Sequence, residues 1–420
     1  MNSSVSTPAE PARGQVRTAQ PAQLSWLHRE AADWQSEGII TADQVAAITG
    51  RYRPAAPEGA RVSMCRILLW LGGVFVCIGL IWLVAANLDA LSPAVRFGVV
   101  VVLWLMALAG SEALAARRAS RALVGAIRLL AALAFGAVVF QAAQSLQVPA
   151  FEPVLVGVWA AGTLLHGYLT RSTMPFVVGV VNGLFWWIAQ PMWVDASGLG
   201  VVVTLGAGAV LAASLAVLHD RWQRAYAWWW RLLAGALALV TMFAAAVPGV
   251  GGDEIAWSGW LVAELVAAGV AAALTVGAAV TGHLGAVRWG WLEPTGAAGV
   301  LVVGLALAMW DTGTDTTDVT TSDWAHAVLS VLAYVGLAIA VVALDTIRGH
   351  ALLTWLAMGA LVVFTTFQSF AVFAPIITGA WLFVVLGTIF LGTGLLFDRA
   401  RRELTEALAD APTTQTGEGR

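Results

Sequence analysis

The sequence predicts an all-α, polytopic membrane protein of about 12 transmembrane helices with a short N-terminal cytosolic helical hairpin. Three observations predict it. Of the 420 residues, 59% are hydrophobic and 11% are charged, with a mean hydropathy of +0.80. Soluble chains run at about 45–50% apolar and about 25% charged. Apolar runs of ~20 residues, the length that crosses ~30 Å of hydrocarbon at 1.5 Å per residue, recur from Arg66 onward. Arginine-bearing and acid-bearing connections then alternate along the chain.

Residues 1–22 are rich in Ser, Thr, Pro, Ala and Gln and carry no apolar core of a secretory signal, so they read as a disordered tail. Residues 23–61 change pattern. Leu24, Leu27, Ala31 and Trp34 recur at helical spacing between charged residues. Gly38 is placed to end that helix. Thr41 with Gln44 three residues on is a capping-box signature, and Val45 and Ile48 continue an apolar face. A hairpin this small buries little apolar surface. Residues 23–52 are therefore expected to rest on the membrane face or on a cytosolic protein partner. The Pro-rich run RYRPAAPEGAR leads into the first span.

Residues 62–398 form the expected transmembrane domain. Its spans are placed at 67–87, 94–114, 122–145, 152–169, 174–192, 198–218, 229–248, 257–280, 293–310, 324–345, 351–372 and 376–397. Residues 399–420 read as a basic, then disordered, cytosolic tail. With the N-terminus in the cytoplasm, the inner connections hold Arg117, Arg118, Arg121, Arg171, Arg221, Arg224, Arg231, Arg288 and Arg348, while Arg96 stands outside. Outer connections hold Asp89, Glu152, Asp195, Asp253, Glu254, Asp311, Asp315, Asp318 and Asp323. This is the positive-inside pattern, and it places both termini in the cytoplasm of a cell-membrane protein. Trp193, Trp257, Trp260, Trp310 and Trp324 fall at the outer boundary and Trp222, Trp228, Trp229, Trp230, Trp289 and Trp291 at the inner one, where indoles prefer to sit.

The segment W…EGIITADQVAAITGRY, a short linker, then LLWLGGVFVCIGLIWLVAANLDALSPAVR resembles the predicted-membrane-protein family known as domain of unknown function 2157. The resemblance covers about residues 24–115 and rests on Gly38, Thr41, Gln44 and Asn87. The C-terminal GAWLFVVLGTIFLGTGLLFDRARREL is similar to how such proteins finish. The family pattern has Trp after the Asn; here Leu88 follows Asn87. The resemblance implies a membrane fold and brings no activity, cofactor or catalytic residue.

Charged groups inside a bilayer are costly and point to function. Glu264 lies about seven residues into its span from outside and Arg128 about six into its span from inside. At 1.5 Å per residue each is ~10 Å from its boundary, so extended side chains just span the remaining ~10 Å. One reading is a buried Arg128–Glu264 pair at a polar cavity, or a proton site at Glu264; the other is that each snorkels to its own interface. Asn182 stands beside the GxxxG pair Gly179 and Gly183, a close-packing signal. The loop WDTGTDTTDVTTSDW, residues 310–324, offers oxygen ligands but not EF-hand spacing.

No metal or cofactor is expected. The net charge of −3 leaves no basic face for nucleic acid. Cys65 and Cys77 form no CxxC and read as small apolar thiols. No GxSxG, HExxH, Walker loop or strand-borne GxGxxG is present. The expectation is a non-enzymatic integral membrane protein, in contact with the lipid bilayer, whose hairpin docks a cytosolic partner. The alternatives are a secondary transporter or channel using Glu264 and Arg128, and an intramembrane lipid-processing enzyme.

Overall fold

The computed structural model describes residues 17–19, 21–54, 92–147, 149, 152–194, 196–220, 223–252, 254–282, 290–310, 320–348 and 351–368, with isolated helical positions from 71 to 79 and from 387 to 399. The chain divides into two compact units, Met1–Phe75 and Val76–Arg420.

The first unit holds β1 (Arg17–Ala19), α1 (Pro21–Ser36), α2 (Ala42–Thr49) and β2 (Tyr52–Pro54). Leu24 and Ala31 are buried, and Leu27 and Trp34 are half-buried, as the helical spacing requires. Gly38 takes φ +74°, the left-handed conformation that ends a helix, and the Ile39 amide donates back to Trp34 O at 2.9 Å. The capping box is complete. Gln44 N donates to Thr41 Oγ1 at 3.4 Å, and Thr41 N donates to Gln44 Oε1 at 2.8 Å. The hairpin expected to be purely helical is corrected in one respect. β1, in residues assigned to the disordered tail, pairs in parallel with β2, Arg17 opposite Tyr52. Propensity reasoning has no signal for a three-residue strand whose partner lies 35 residues away in sequence.

The second unit holds α3 (Pro93–Ala116), α4 (Arg121–Ser145), α5 (Pro153–Thr170), α6 (Thr173–Val194), α7 (Gly198–His219), α8 (Arg224–Ala245), a 3-10 turn (Val250–Gly252), α9 (Gly259–Val280), α10 (Leu292–Ala308), α11 (Thr321–Arg348) and α12 (Ala351–Gln368). Among the described residues, nine helices are long and apolar enough to cross a membrane, which makes this a polytopic helical membrane protein. The expected spans at 67–87 and 376–397 lie outside the described residues apart from those isolated helical positions. The span expected at 293–310 is a helix of 17 residues, shorter than the other nine. The span placed at 229–248 is helical from Arg224, five residues earlier, so Trp228, Trp229 and Trp230 lie in the first two turns of α8.

Helix α7 is the centre. Its sequence, GLGVVVTLGAGAVLAASLAVLH, contains no Asp, Glu, Arg or Lys and is apolar on every side, the pattern of a helix wrapped by other helices. It packs on α8, α9 and α10. Small residues permit close approach. A Cβ on Gly208 would lie 2.9 Å from Trp187 Nε1, and that indole donates to Thr204 O at 2.9 Å. Two stacked aromatic pairs fasten other joints: Phe176–Tyr226, centroids 3.9 Å apart, and Tyr334–Phe364, 3.8 Å apart.

Candidate functional site

The chemistry concentrates where α7, α8, α10 and α11 bring one end each together. Asp220 caps the C-terminus of α7, Arg231 lies two turns into α8, Glu293 sits in the first turn of α10, and Arg348 is the last residue of α11. Arg231 Nη2 and Nη1 donate to the Asp220 carboxylate at 2.8 and 3.4 Å. Arg231 Nε and Nη2 donate to the Glu293 carboxylate at 2.7 and 3.2 Å. Arg348 Nη2 donates to Glu293 Oε1, and its Nη1 lies 3.6 Å from Asp220 Oδ2. The Arg231 and Glu293 side chains are 4% and 7% exposed, against 23% for Arg348. Glu293 near a helix N-terminus and Arg348 at a helix C-terminus each sit where the helix dipole favours their charge.

The cluster closes one end of an apolar cleft of about 760 Å³, in the ~300–1,000 Å³ range of ligand sites. Its floor is α8, from Arg231 to Met242. Its walls are Gly290 with α10 from Leu292 to Val303, and α11 from Ala333 to Arg348. Both walls pack on α8 but barely meet each other. The reason lies in the sequence. Gly296, Gly299 and Gly336 present no side chain, and a Cβ built on any of them has open space around it. An arrangement of this kind offers apolar contact along its length and charge-assisted hydrogen bonding at one end.

The structure places the expected site residues elsewhere. Arg128 forms a two-pronged pair with Glu112 of α3, Nε and Nη2 each at 2.9 Å, and its Nη1 donates to Thr170 O at 3.3 Å. His166 stands near this pair. Of the two readings of Arg128 and Glu264, the pair is not formed: Arg128 bridges to Glu112 instead. Glu112 lies one turn before the end of α3 and Arg128 two turns into α4, so the long arginine side chain meets it across the hairpin, a pairing that a search for mid-span charges passes over. Glu264 on α9 is 6% exposed and lies near Thr204 of α7. Among the described residues, neither Glu264 Oε2 nor Thr204 Oγ1 has a partner in hydrogen-bonding geometry. Asn182 is half-buried on α6, one residue before Gly183. The α5–α6 contact there is close: a Cβ on Gly179 would lie 2.8 Å from Leu164 N. Asn87 and residues 311–319 of the acidic loop lie outside the described residues. Thr320, at the end of that loop, caps α11 reciprocally with Asp323: Asp323 N donates to Thr320 Oγ1 at 3.3 Å, and Thr320 N donates back to the Asp323 carboxylate at 2.8 Å. Among the described residues no group of three or more His, Cys, Asp or Glu is placed to hold a metal.

Sequence reasoning missed Asp220 and Glu293. Both sit at the Arg-rich ends of their helices, where the positive-inside count attends only to the arginines. A carboxylate on the arginine side of a chain sorted this way is itself a signal that it is paired.

Residues 32–176 match the family described as Predicted membrane protein (DUF2157). The match runs from the N-terminal hairpin through α5 into α6 and includes Glu112 and Arg128; the cleft and its charge cluster lie beyond it. Comparisons with curated proteins and with solved structures gave no match.

Proposed function

We propose that this is a non-catalytic protein of the cytoplasmic membrane, both termini inside, that holds an amphiphilic molecule in the α8–α10–α11 cleft. The observation that carries this reading is the cleft itself, long, apolar and charged at one end only. The arginines and acids at the charged helix ends are engaged with one another, Arg128 with Glu112 and Arg231 with Asp220 and Glu293, which fits clamps rather than reacting groups. In the first unit Trp26 and Ile39 are 52% and 65% exposed, apolar side chains available to a cytosolic protein partner.

The test is retention of lipid. The purified chain, extracted in mild detergent, is examined intact by mass spectrometry. Wild type is expected to keep one amphiphile per chain. Gly299→Leu and Gly336→Leu, whose new side chains enter open space, are expected to fold and to lose it. Equal retention by the filled variants would remove the reading. Deleting residues 1–60 tests the docking role: insertion is expected to survive while a co-purifying protein is lost, and an unchanged set of partners counts against it.

A further inference from the structure

We propose that Glu264 and Thr204 form a proton-binding site, in which the Glu264 carboxyl carries an exchangeable proton and donates it to the Thr204 hydroxyl. Neither residue lines the cleft, so the proposal stands apart from the cleft-binding reading. It begins from two buried oxygens on different helices. Glu264 Oε2 on α9 and Thr204 Oγ1 on α7 each lack a hydrogen-bond partner among the described residues. Both residues are more than nine-tenths buried, and they are neighbours.

The Thr204 hydroxyl is turned away from the partner that its kind usually takes. Thr163, Ser214, Thr241, Thr275 and Thr365, all buried within helices, each donate to the carbonyl four residues before. Thr204 does not. Its own carbonyl is engaged, accepting from Trp187 Nε1 at 2.9 Å, while its hydroxyl oxygen stands open beside Glu264.

No cation among the described residues completes the pair. Helix α9 packs on α7, α6 and α10. Helix α6 has no titratable side chain, α7 has only His219 at its far end, and α9 has only Glu264 itself. On α10 there is only Glu293, held by Arg231. Arg128 is engaged with Glu112, and Glu254, in the connection before α9, is exposed. An ionised carboxylate here would be a bare charge in a low-dielectric interior, which costs far more than the neutral acid. A calcium ion would need about 6–8 oxygens, where two stand open. One proton satisfies both at once: the carboxyl O–H donates and Thr204 Oγ1 accepts.

The site lies close enough to an interface to exchange that proton. From Gly259, the first residue of α9, to Glu264 is ~8 Å at 1.5 Å per residue. That end of α9 is the one the arginine count assigns to the outside. One turn nearer to it, Trp260 is exposed and stands edge-to-face on Trp186, whose indole donates to Gln190 Oε1 at 3.2 Å. Interfacial water is therefore less than two helical turns from the carboxyl.

The full chain is reconstituted in phosphatidylcholine vesicles and read by infrared difference spectroscopy at neutral pH. Wild type minus Glu264→Gln is expected to show the C=O stretch of a protonated carboxyl; a carboxylate stretch in its place overturns the proposal. If Glu264→Gln does not fold, Glu264→Met takes its place in the difference. Thr204→Val keeps the shape and removes the acceptor, so the band is expected to move to higher wavenumber. An unmoved band removes Thr204 from the site. In heavy water the band is expected to shift down within minutes as the acid exchanges, and a band that stays in place marks a sealed, structural acid and overturns the exchange. Sodium, potassium or calcium chloride is expected to leave the band intact; its loss on adding any of them would make this a cation site and overturn the proton assignment.

Discussion

Arg231 Nε donates to Glu293 Oε2 at 2.7 Å, tying α8 to α10 across 62 residues of chain. Both side chains are more than nine-tenths buried, so each would be an uncompensated charge without the other. Removing one member of such a pair costs ~3–5 kcal/mol, whereas replacing both by apolar residues is often neutral. Glu293→Gln and Arg231→Met are each expected to lower the melting temperature in detergent. Arg231→Met with Glu293→Leu leaves Asp220 to Arg348 and is expected to melt above either single variant. Losses that simply add would mean the pair is not coupled.

At the neighbouring joint, the Tyr226 hydroxyl donates to Gly167 O at 2.8 Å and to Ser172 O at 3.1 Å. It thereby satisfies carbonyls at the C-terminus of α5, where Arg171 turns the chain with φ +50°. The ring itself is held by its stack on Phe176. Tyr226→Phe keeps the stack and removes the donor. Gly167 O keeps the Ser172 amide at 3.1 Å, so the expected cost is that of one lost hydrogen bond, ~0.5–1.5 kcal/mol. Hydrogen exchange across residues 167–173 should accelerate while α7 stays protected. Uniform acceleration would place the effect elsewhere.

The two glycines beside Asn182 are predicted to differ. A Cβ on Gly179 would stand 2.7 Å from Leu164 Cγ and 2.8 Å from Leu164 N; one on Gly183 meets Ala160 Cβ at an ordinary 3.8 Å. Gly179→Ala must therefore push α5 away from α6, and the backbone amide at the contact cannot rotate aside. It is expected to cut the yield of folded protein, with Gly183→Ala near wild type. The check is the monodisperse fraction after size-exclusion chromatography, and equal behaviour would count against close packing at this point.

What the sequence made legible follows from the physics that was strongest. Hydrocarbon demands apolar runs of fixed length, and ten expected spans coincide with helices from α3 to α12. Local hydrogen bonding was equally readable: Gly38, Thr41 and Gln44 do what their spacing required. Partners were not readable. Arg128 was matched to Glu264 by depth alone, but depth is shared by every helix that crosses at that level. Which helices adjoin is decided by packing of small residues, and α3–α4 adjacency gives Arg128 to Glu112. Asp220 and Glu293 were hidden for a similar reason. Their importance arises from α7, α8, α10 and α11 converging, and no local pattern encodes that convergence.

Glu264 is a buried carboxyl whose candidate partner Arg128 is engaged with Glu112. A side chain 6% exposed, with one oxygen unpartnered among the described residues, carries a desolvation cost. Glu264→Gln retains the shape and can turn a carboxamide donor toward Thr204 Oγ1. The prediction is an unchanged or raised melting temperature with normal abundance. A marked fall would show that the carboxyl is held by a contact of its own, and the site would then belong with the clamps. If the protein carries out proton- or ion-coupled uptake, the same variant should abolish flux in proteoliposomes without loss of expression.

The charged helix ends at Asp220, Arg231, Glu293 and Arg348 meet in one place. At the opposite ends of the same helices, a Cβ on Gly251 would meet Ala308 O, and Trp310 Nε1 donates to Ser322 Oγ at 2.8 Å. Two groups of connections therefore face opposite sides, and the arginine count assigns the first group to the cytoplasm. With Cys65 and Cys77 replaced by Ala, Gln223→Cys and Thr320→Cys are treated with a membrane-impermeant maleimide on intact cells. Thr320→Cys is expected to label from outside and Gln223→Cys only after permeabilisation. Labelling of Gln223→Cys from outside would invert the bundle, and with it the face on which Glu264 exchanges its proton.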